Sequence, residues 1–319
     1  MPSGTWASLA AQSTAHALIA ALAAEALIAL WRARSPEDRL RLRLLALLIP
    51  LVVTPALYFL LPERREEDFR FSFLALRHFG ALRAGPLGPR AALLLSGALS
   101  AALLAVDLVP LARGRGRDFG RAALGPPELL AALAEVAAAR GLHAPALRFV
   151  PSRAAALYCA GVRRRELVVS EGAFLLLDPA ELRAALGHEL AHLEAHDPAL
   201  SWALVLLRGL LFFNPVAQVL ARAVSRDAEW RADERAGADR LALASAVLKL
   251  HRAGLSKAPL RSFPLARRIA EPFRRARSHD VAARCRRLLE PSSPPVMPFR
   301  AARLALAAAA CAALAFIVT

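Results

Sequence analysis

The sequence predicts an α-helical membrane protein that carries an α+β domain between its third and fourth spans. Three observations lead there. Of its 319 residues 57% are hydrophobic, too many for an ordinary water-soluble domain. The apolar residues gather into runs that are nearly free of charge and of membrane-crossing length. The long interval before the last run instead mixes amphipathic helical patterns with short β-prone segments.

The runs are Ala7–Trp31, Leu44–Leu61, Ala91–Ala112 and Leu304–Thr319, the last only 16 residues long. This divides the chain into a membrane domain with three transmembrane helices (1–112), a cytoplasmic domain (113–300) and a fourth transmembrane helix (301–319). No cleavable leader is expected, because the N-terminus lacks a basic region and the first run is long enough to span. Charge orients the spans. The loop Arg32–Arg43 has five arginines in twelve residues, whereas Pro62–Arg90 has six in 29, offset by four acids. The segment Arg113–Arg300 holds 30 of the 42 Lys+Arg. The positive-inside rule then puts the first loop and the long domain in the cytoplasm and both termini outside.

The net charge of +16 does not make this a nucleic-acid protein. Its cations are 40 Arg and two Lys, a bias typical of high-GC bacterial genomes, and no series of stacking aromatics accompanies them. No direct nucleic-acid binding is expected. Arg274, Arg275, Arg277, Arg284, Arg286 and Arg287 precede the last span, where anionic headgroups of the lipid bilayer or plain water would meet them. Cys159, Cys285 and Cys311 are too few and scattered for a disulfide framework or a cysteine zinc site. His16 and Glu25 in the first span and Asp107 in the third are costly in lipid, so a bundle interior or a signal path is expected around them.

Within the cytoplasmic domain, Gly114–Gly125 reads as a linker and Glu128–Arg140 as a helix stopped by Gly141. Ala146–Val150, Ala156–Ala160 and Glu166–Ser170 read as strands, the last two as a hairpin. Asp178-Pro179-Ala180-Glu181 combines an N-cap, a first-turn proline and the glutamate of a capping box. From there Leu182, Leu186, Leu190 and Leu193 form an apolar stripe at helical spacing. That helix ends near His196, and Asp197-Pro198 looks like the cap of the next.

On this core-packed helix stands His188-Glu189-Leu190-Ala191-His192. His-Glu-x-x-His places two imidazoles one turn apart on one face, where both can bind a single Zn²⁺, with Glu189 beside them as general base. The chemistry implied is zinc-dependent hydrolysis of a protein or peptide substrate, and the small sheet offers an edge for an extended chain. A catalytic zinc needs a third protein ligand and one open position. Glu229, on the helical stretch Arg226–Ala236, is the best third ligand, which makes the domain a gluzincin-like zinc-peptidase. Asp233, one turn on, can hold the free ring nitrogen of a ligand histidine. His196 is rejected: on a continuous helix it lies eight residues, about 12 Å, from His188, too far to share one ion. Tyr158, His143, His251, His279 and Arg231 remain open as oxyanion donors, with Tyr158 and His251 put forward.

Leu200–Val224 is apolar enough to span, but a single crossing would leave Glu229 across the membrane from His192. Asn214-Pro215 breaks the run into halves of about 18 Å each, against a hydrocarbon core of about 30 Å. The segment 200–224 is therefore read as a membrane-associated helical hairpin, with a helix pair buried in the domain as the alternative.

Gly187-His188-Glu189-Leu190-Ala191-His192, Asp197-Pro198, Phe213-Asn214-Pro215 and Glu229-x-x-Ala232-Asp233 resemble the BlaR/MecR-type membrane metallopeptidases, transducers of β-lactam sensing. The resemblance covers roughly Leu40 onward and is sharpest from Leu182 to Gly237. It implies a multi-pass protease of the bacterial inner membrane whose peptidase domain faces the cytoplasm and whose substrates include transcriptional repressors. The penicillin-binding sensor domain that follows the last span in those proteins is not expected here. Two further readings stand beside it. A quality-control or processing protease like the HtpX and CAAX-prenyl-protease group shares His-Glu-x-x-His and Glu-x-x-Ala-Asp. A non-proteolytic membrane signalling scaffold would have no use for Glu189.

Overall fold

The computed structural model describes residues 4–60, 94–95, 97–102, 125–160, 165–237, 239–256, 280–290 and 300–318. The described residues are mostly helical with one small sheet, and the chain forms two compact units. The first combines Met1–Leu111, Ala203–Asp227 and Pro294–Thr319, and the second Ala112–Trp202 with Ala228–Ser293. Most of the expected third span, with Asp107, lies outside the described residues, as do the linker 114–124, Arg274, Arg275, Arg277 and His279.

In the first unit, α1 (Gly4–Leu30) and α2 (Pro36–Leu60) realise the first two apolar runs, joined by α10 (Arg300–Val318). Among the described residues, Gln12–Leu30 is the one stretch long and apolar enough to cross a membrane, with a shorter apolar helix at Ala302–Cys311. His16 and Glu25 of α1 are partnered. Buried His16 bonds through Nδ1 to Thr54 Oγ1 of α2 at 2.7 Å. Arg43 of α2 forks onto Glu25 at 2.7 and 3.0 Å and donates to Asp227 at 2.7 Å.

The segment that the sequence left open is a helical hairpin. Helix α6 (Asp197–Leu210) ends in a short turn and α7 (Pro215–Arg235) returns. Asn214 caps α7, its Oδ1 accepting from Ala217 N at 3.1 Å, while its amide donates to Ser13 O at 3.0 Å. Gln218 stitches the turn, accepting from Arg208 Nε at 2.9 Å and donating to the carbonyls of Arg208 and Leu211. Polarity here is reversed. Arg208, Asn214 and Gln218 are buried, whereas Leu206, Leu210, Phe212 and Val219 are each more than half exposed.

The second unit begins with α3 (Pro127–Ala139), which ends where Gly141 takes a left-handed φ of 67° and Leu142 N bonds back to Ala137 O. Strands β1 (Ala146–Val150), β2 (Leu157–Ala160) and β3 (Glu166–Ser170) form a sheet of order β1-β3-β2. β2 runs antiparallel to β3, as a hairpin requires, and β1 runs parallel to it. After α4 (Glu171–Leu176) comes α5 (Pro179–Glu194), opened by the expected capping box of Asp178 and Glu181 with Pro179 in the first turn. Leu182, Leu186, Leu190 and Leu193 are all buried, packed with Leu129 and Leu133 of α3 and Leu167 and Val169 of β3. Each such side chain contributes about 1.5–3 kcal/mol relative to exposure, enough to hold α5 as a fixed platform.

Three contacts tie other helices to that platform. Glu181 accepts from Ser245 at 2.5 Å and Lys249 at 2.6 Å, both on α8 (Arg240–Ser256). Arg140 forks onto Glu194 at 3.2 and 2.6 Å and reaches the Arg235 carbonyl at the end of α7. At Gly187 an added Cβ would stand 2.5 Å from the Ala236 carbonyl, so only glycine lets that backbone approach α5 so closely. The last described helix of this unit, α9, spans 280–289.

Candidate metal centre

One turn of α5 sets His188 and His192 side by side, their Nε2 atoms 3.1 Å apart and their rings edge to face. Glu229 of α7 closes the triangle, its two carboxylate oxygens each 3.7 Å from one of those nitrogens. Tetrahedral ligation with bonds of about 2.1 Å sets ligand atoms about 3.4 Å apart, midway between these spacings. The three sequence-predicted ligands therefore come together in an arrangement that can hold a metal ion and suits zinc. Asp233 Oδ1 lies 3.0 Å from His188 Nδ1, on the far side of the ring from the triangle.

His192 has its own carboxylate, and sequence reasoning missed it. Asp197 Oδ2 accepts from Nδ1 of His192 at 2.7 Å, while its other oxygen takes the Arg231 guanidinium. Asp197 was expected as a helix cap. It reaches back because α5 stops at Glu194 and His196 takes a left-handed φ of 60°, swinging the chain around. The signal available was an aspartate five residues after the second histidine, just beyond the helix. His196 is exposed, with its ring on the Glu194 carbonyl, and takes no part in the triangle. A broken helix, rather than the length of a continuous one, keeps it away.

Glu189 sits against the edge strand β2. Its carboxylate accepts from Cys159 N at 2.9 Å and from the Cys159 thiol at 3.1 Å, and the thiol also reaches the Glu189 carbonyl. Burial, then the Glu189 carboxylate, push that thiol far up, so it stays protonated. Ser170 N donates to Ala156 O, and alternation along the antiparallel pair turns the backbone groups of Leu157 and Cys159 away from β3, toward the site. Tyr158, put forward as an oxyanion donor, borders the cavity. Its side chain alternates to the face opposite Cys159, near the charges of Arg148 and Glu166. His251 also lines the cavity, from α8. Arg231, another sequence candidate, is committed to Asp197.

A second unforeseen residue is Arg284 of α9, which had been expected to face lipid headgroups or water. It turns inward, forking onto Asp233 at 3.0 and 2.7 Å and meeting Glu229 at 2.9 Å. Its neighbour Arg287 also turns inward, to Glu234 and over the Trp230 ring. Two unlike charges inside the fold outweigh hydration of an exposed guanidinium only when the geometry is this close.

Burial opposes charge on His188, but Asp233 and Glu229 prevail and raise its pKa to about 10. Burial likewise opposes charge on Glu229, yet His188, Arg284 and His192 hold it well below the usual carboxylate range. A metal ion held by the triangle would have to displace the His188 proton, so its uptake is expected to weaken as pH falls. The cavity in front of the triangle measures about 420 Å³, with an apolar wall that includes Leu243, Val247, Leu250 and Val281.

This geometry meets a family comparison. Residues 156–259, which contain the triangle and Glu189, match the family described as BlaR1 peptidase M56. The resemblance read from the motifs is borne out. A protease HtpX homolog of Pseudarthrobacter chlorophenolicus is 31% identical over 167 residues, 42% of this chain. The chain spans 57% of that relative's length. No solved structure matches. Both similarities fall on peptidases, which supports a membrane metallopeptidase in general terms.

Proposed function

We propose that this chain is a membrane-embedded zinc endopeptidase that carries out regulatory cleavage of a cytoplasmic or membrane-proximal protein such as a transcriptional repressor. The observation that carries the reading is the His188–His192–Glu229 triangle with Glu189 one residue along the same helix. Zinc, when bound there, supplies the Lewis acid that acidifies water and polarises the scissile carbonyl. Glu189 takes the proton of the attacking water and passes it to the leaving amine. Asp233 and Asp197 fix the ring orientations of His188 and His192. The edge strand β2, where the Leu157 backbone groups turn away from β3, aligns an extended substrate by backbone hydrogen bonds. The test is direct: the full-length protein is expected to degrade casein when zinc-loaded, lose activity to a chelator and regain it with added zinc. Activity that survives metal removal overturns the reading.

The HtpX-like relative supports a second reading, membrane quality control, in which damaged membrane proteins rather than a repressor are cut. Proteome-wide cleavage products separate the two, one dominant product against many.

The site is proposed to face the cytoplasm of a bacterial inner membrane, as the arginine density of the loop Arg32–Arg43 suggests. The reversed polarity around Leu206 and Leu210 supports contact of the hairpin tip with lipid. Spin labels at these two positions are expected to be relaxed by oxygen rather than by a water-soluble nickel chelate. Preferential relaxation by nickel would put the tip in water.

A further inference from the structure

We propose that Arg284 is a catalytic residue, the donor that stabilises the carbonyl oxygen of the substrate as it becomes negative. The inference rests on the peptidase reading and names a group that its motifs do not contain. Among the described residues that line the cavity, Arg284 is the one arginine or lysine. Its Nε and Nη2 form a two-point fork on Asp233, at 3.0 and 2.7 Å. Its remaining arm, Nη1, stands 2.9 Å from Glu229 Oε2, and Nη2 lies 3.4 Å from His188 Nε2. The cation thus borders two corners of the triangle and is held from behind.

That placement is what an electrophile needs. A donor fixed before reaction pays no reorganisation when negative charge develops, and inside a cavity each such bond is worth far more than in water. Metal ligation by Glu229 and His188 would engage the lone pairs that now face Arg284 and so would leave Nη1 free to donate to a carbonyl oxygen in the cavity. The fork on Asp233 keeps the guanidinium from following the substrate away. In the step itself water adds to the carbonyl carbon, the carbonyl oxygen gains the negative charge, and Glu189 carries the water proton to the nitrogen as the C–N bond breaks. Arg284 only donates hydrogen bonds, since its proton is not lost at any working pH. The rival explanation is a structural rivet that does no more than hold Asp233, and through it His188.

The test uses full-length protein at saturating zinc, a fluorogenic peptide taken from the casein products, and the phosphinic analogue of that peptide. Arg284→Gln is expected to lower kcat about 10²–10³-fold with KM changed little. Affinity for the phosphinic analogue should fall in proportion to kcat/KM, because that analogue carries the charge of the transition state. Arg284→Lys, which keeps the charge without the fork, should recover part of kcat and covers the case in which the glutamine variant misfolds. A rivet predicts instead that the loss tracks zinc occupancy and vanishes at saturating zinc, with analogue and substrate affinity unchanged. That result overturns the proposal and leaves the peptidase reading standing. Wild-type protein that neither cleaves the peptide nor binds its analogue overturns both.

Discussion

Glu189→Gln is expected to keep zinc and to lose peptide hydrolysis, by about 10²–10⁴-fold for loss of acid–base catalysis. The substitution would remove the proposed proton carrier and none of the proposed ligands. Its effect on the fold is small for a visible reason. The Glu189 carboxylate accepts from Cys159 N at 2.9 Å, and a glutamine amide oxygen can accept the same bond. Metal content by atomic absorption and turnover of casein, measured on one preparation, check the expectation. A metal-loaded variant that still hydrolyses at the wild-type rate would remove Glu189 from the mechanism.

The second large effect concerns Glu229, the proposed third ligand. Glu229→Ala is expected to lose zinc and activity together, and Asp197→Ala to weaken zinc about 10–100-fold through His192. His196→Ala should leave the titration nearly unchanged. The ranking follows from position. Both Glu229 oxygens lie 3.7 Å from histidine nitrogens, Asp197 touches one ring from behind, and His196 is exposed on the Glu194 carbonyl. Zinc titration of the three variants decides the order. Metal loss in the His196 variant would mean that the turn after α5 rearranges around the ion. Removal of Glu229 also takes from Arg284 one of its two carboxylates, which leaves Asp233 to balance the guanidinium that stands 3.4 Å from His188 Nε2.

Most of the platform was legible beforehand. Asp178, Pro179 and Glu181 marked the start of α5, four leucines marked its buried face, and all behave as their spacing requires. The strands at 146–150 and 166–170 and the pairing of β2 with β3 were legible for the same reason. Two of the three candidate ligands, His188 and His192, followed from one helical turn, and the spacing of Glu229 and Asp233 from another. The hairpin was half legible: Asn214-Pro215 announced a break, but not that Gln218 would close the turn onto Arg208 and Leu211.

What the sequence by itself determined is short-range. Helix caps, faces and the two-histidine pair depend on residues within a few positions of one another, where the 3.6-residue period and the hydrogen-bonding needs of a helix end act alone. The tertiary structure decided which charges meet. Arg284 reads in sequence as one of a run of arginines before a span, and Asp197 as a cap. Only the packing of α9 and α7 against α5 brings Arg284 to Asp233 and Glu229, while the left-handed turn at His196 carries Asp197 back to His192. An arginine has no periodic signature to announce its partner. Its place is set by which carboxylates the folded chain buries nearby, because a buried charge is tolerated only when another meets it.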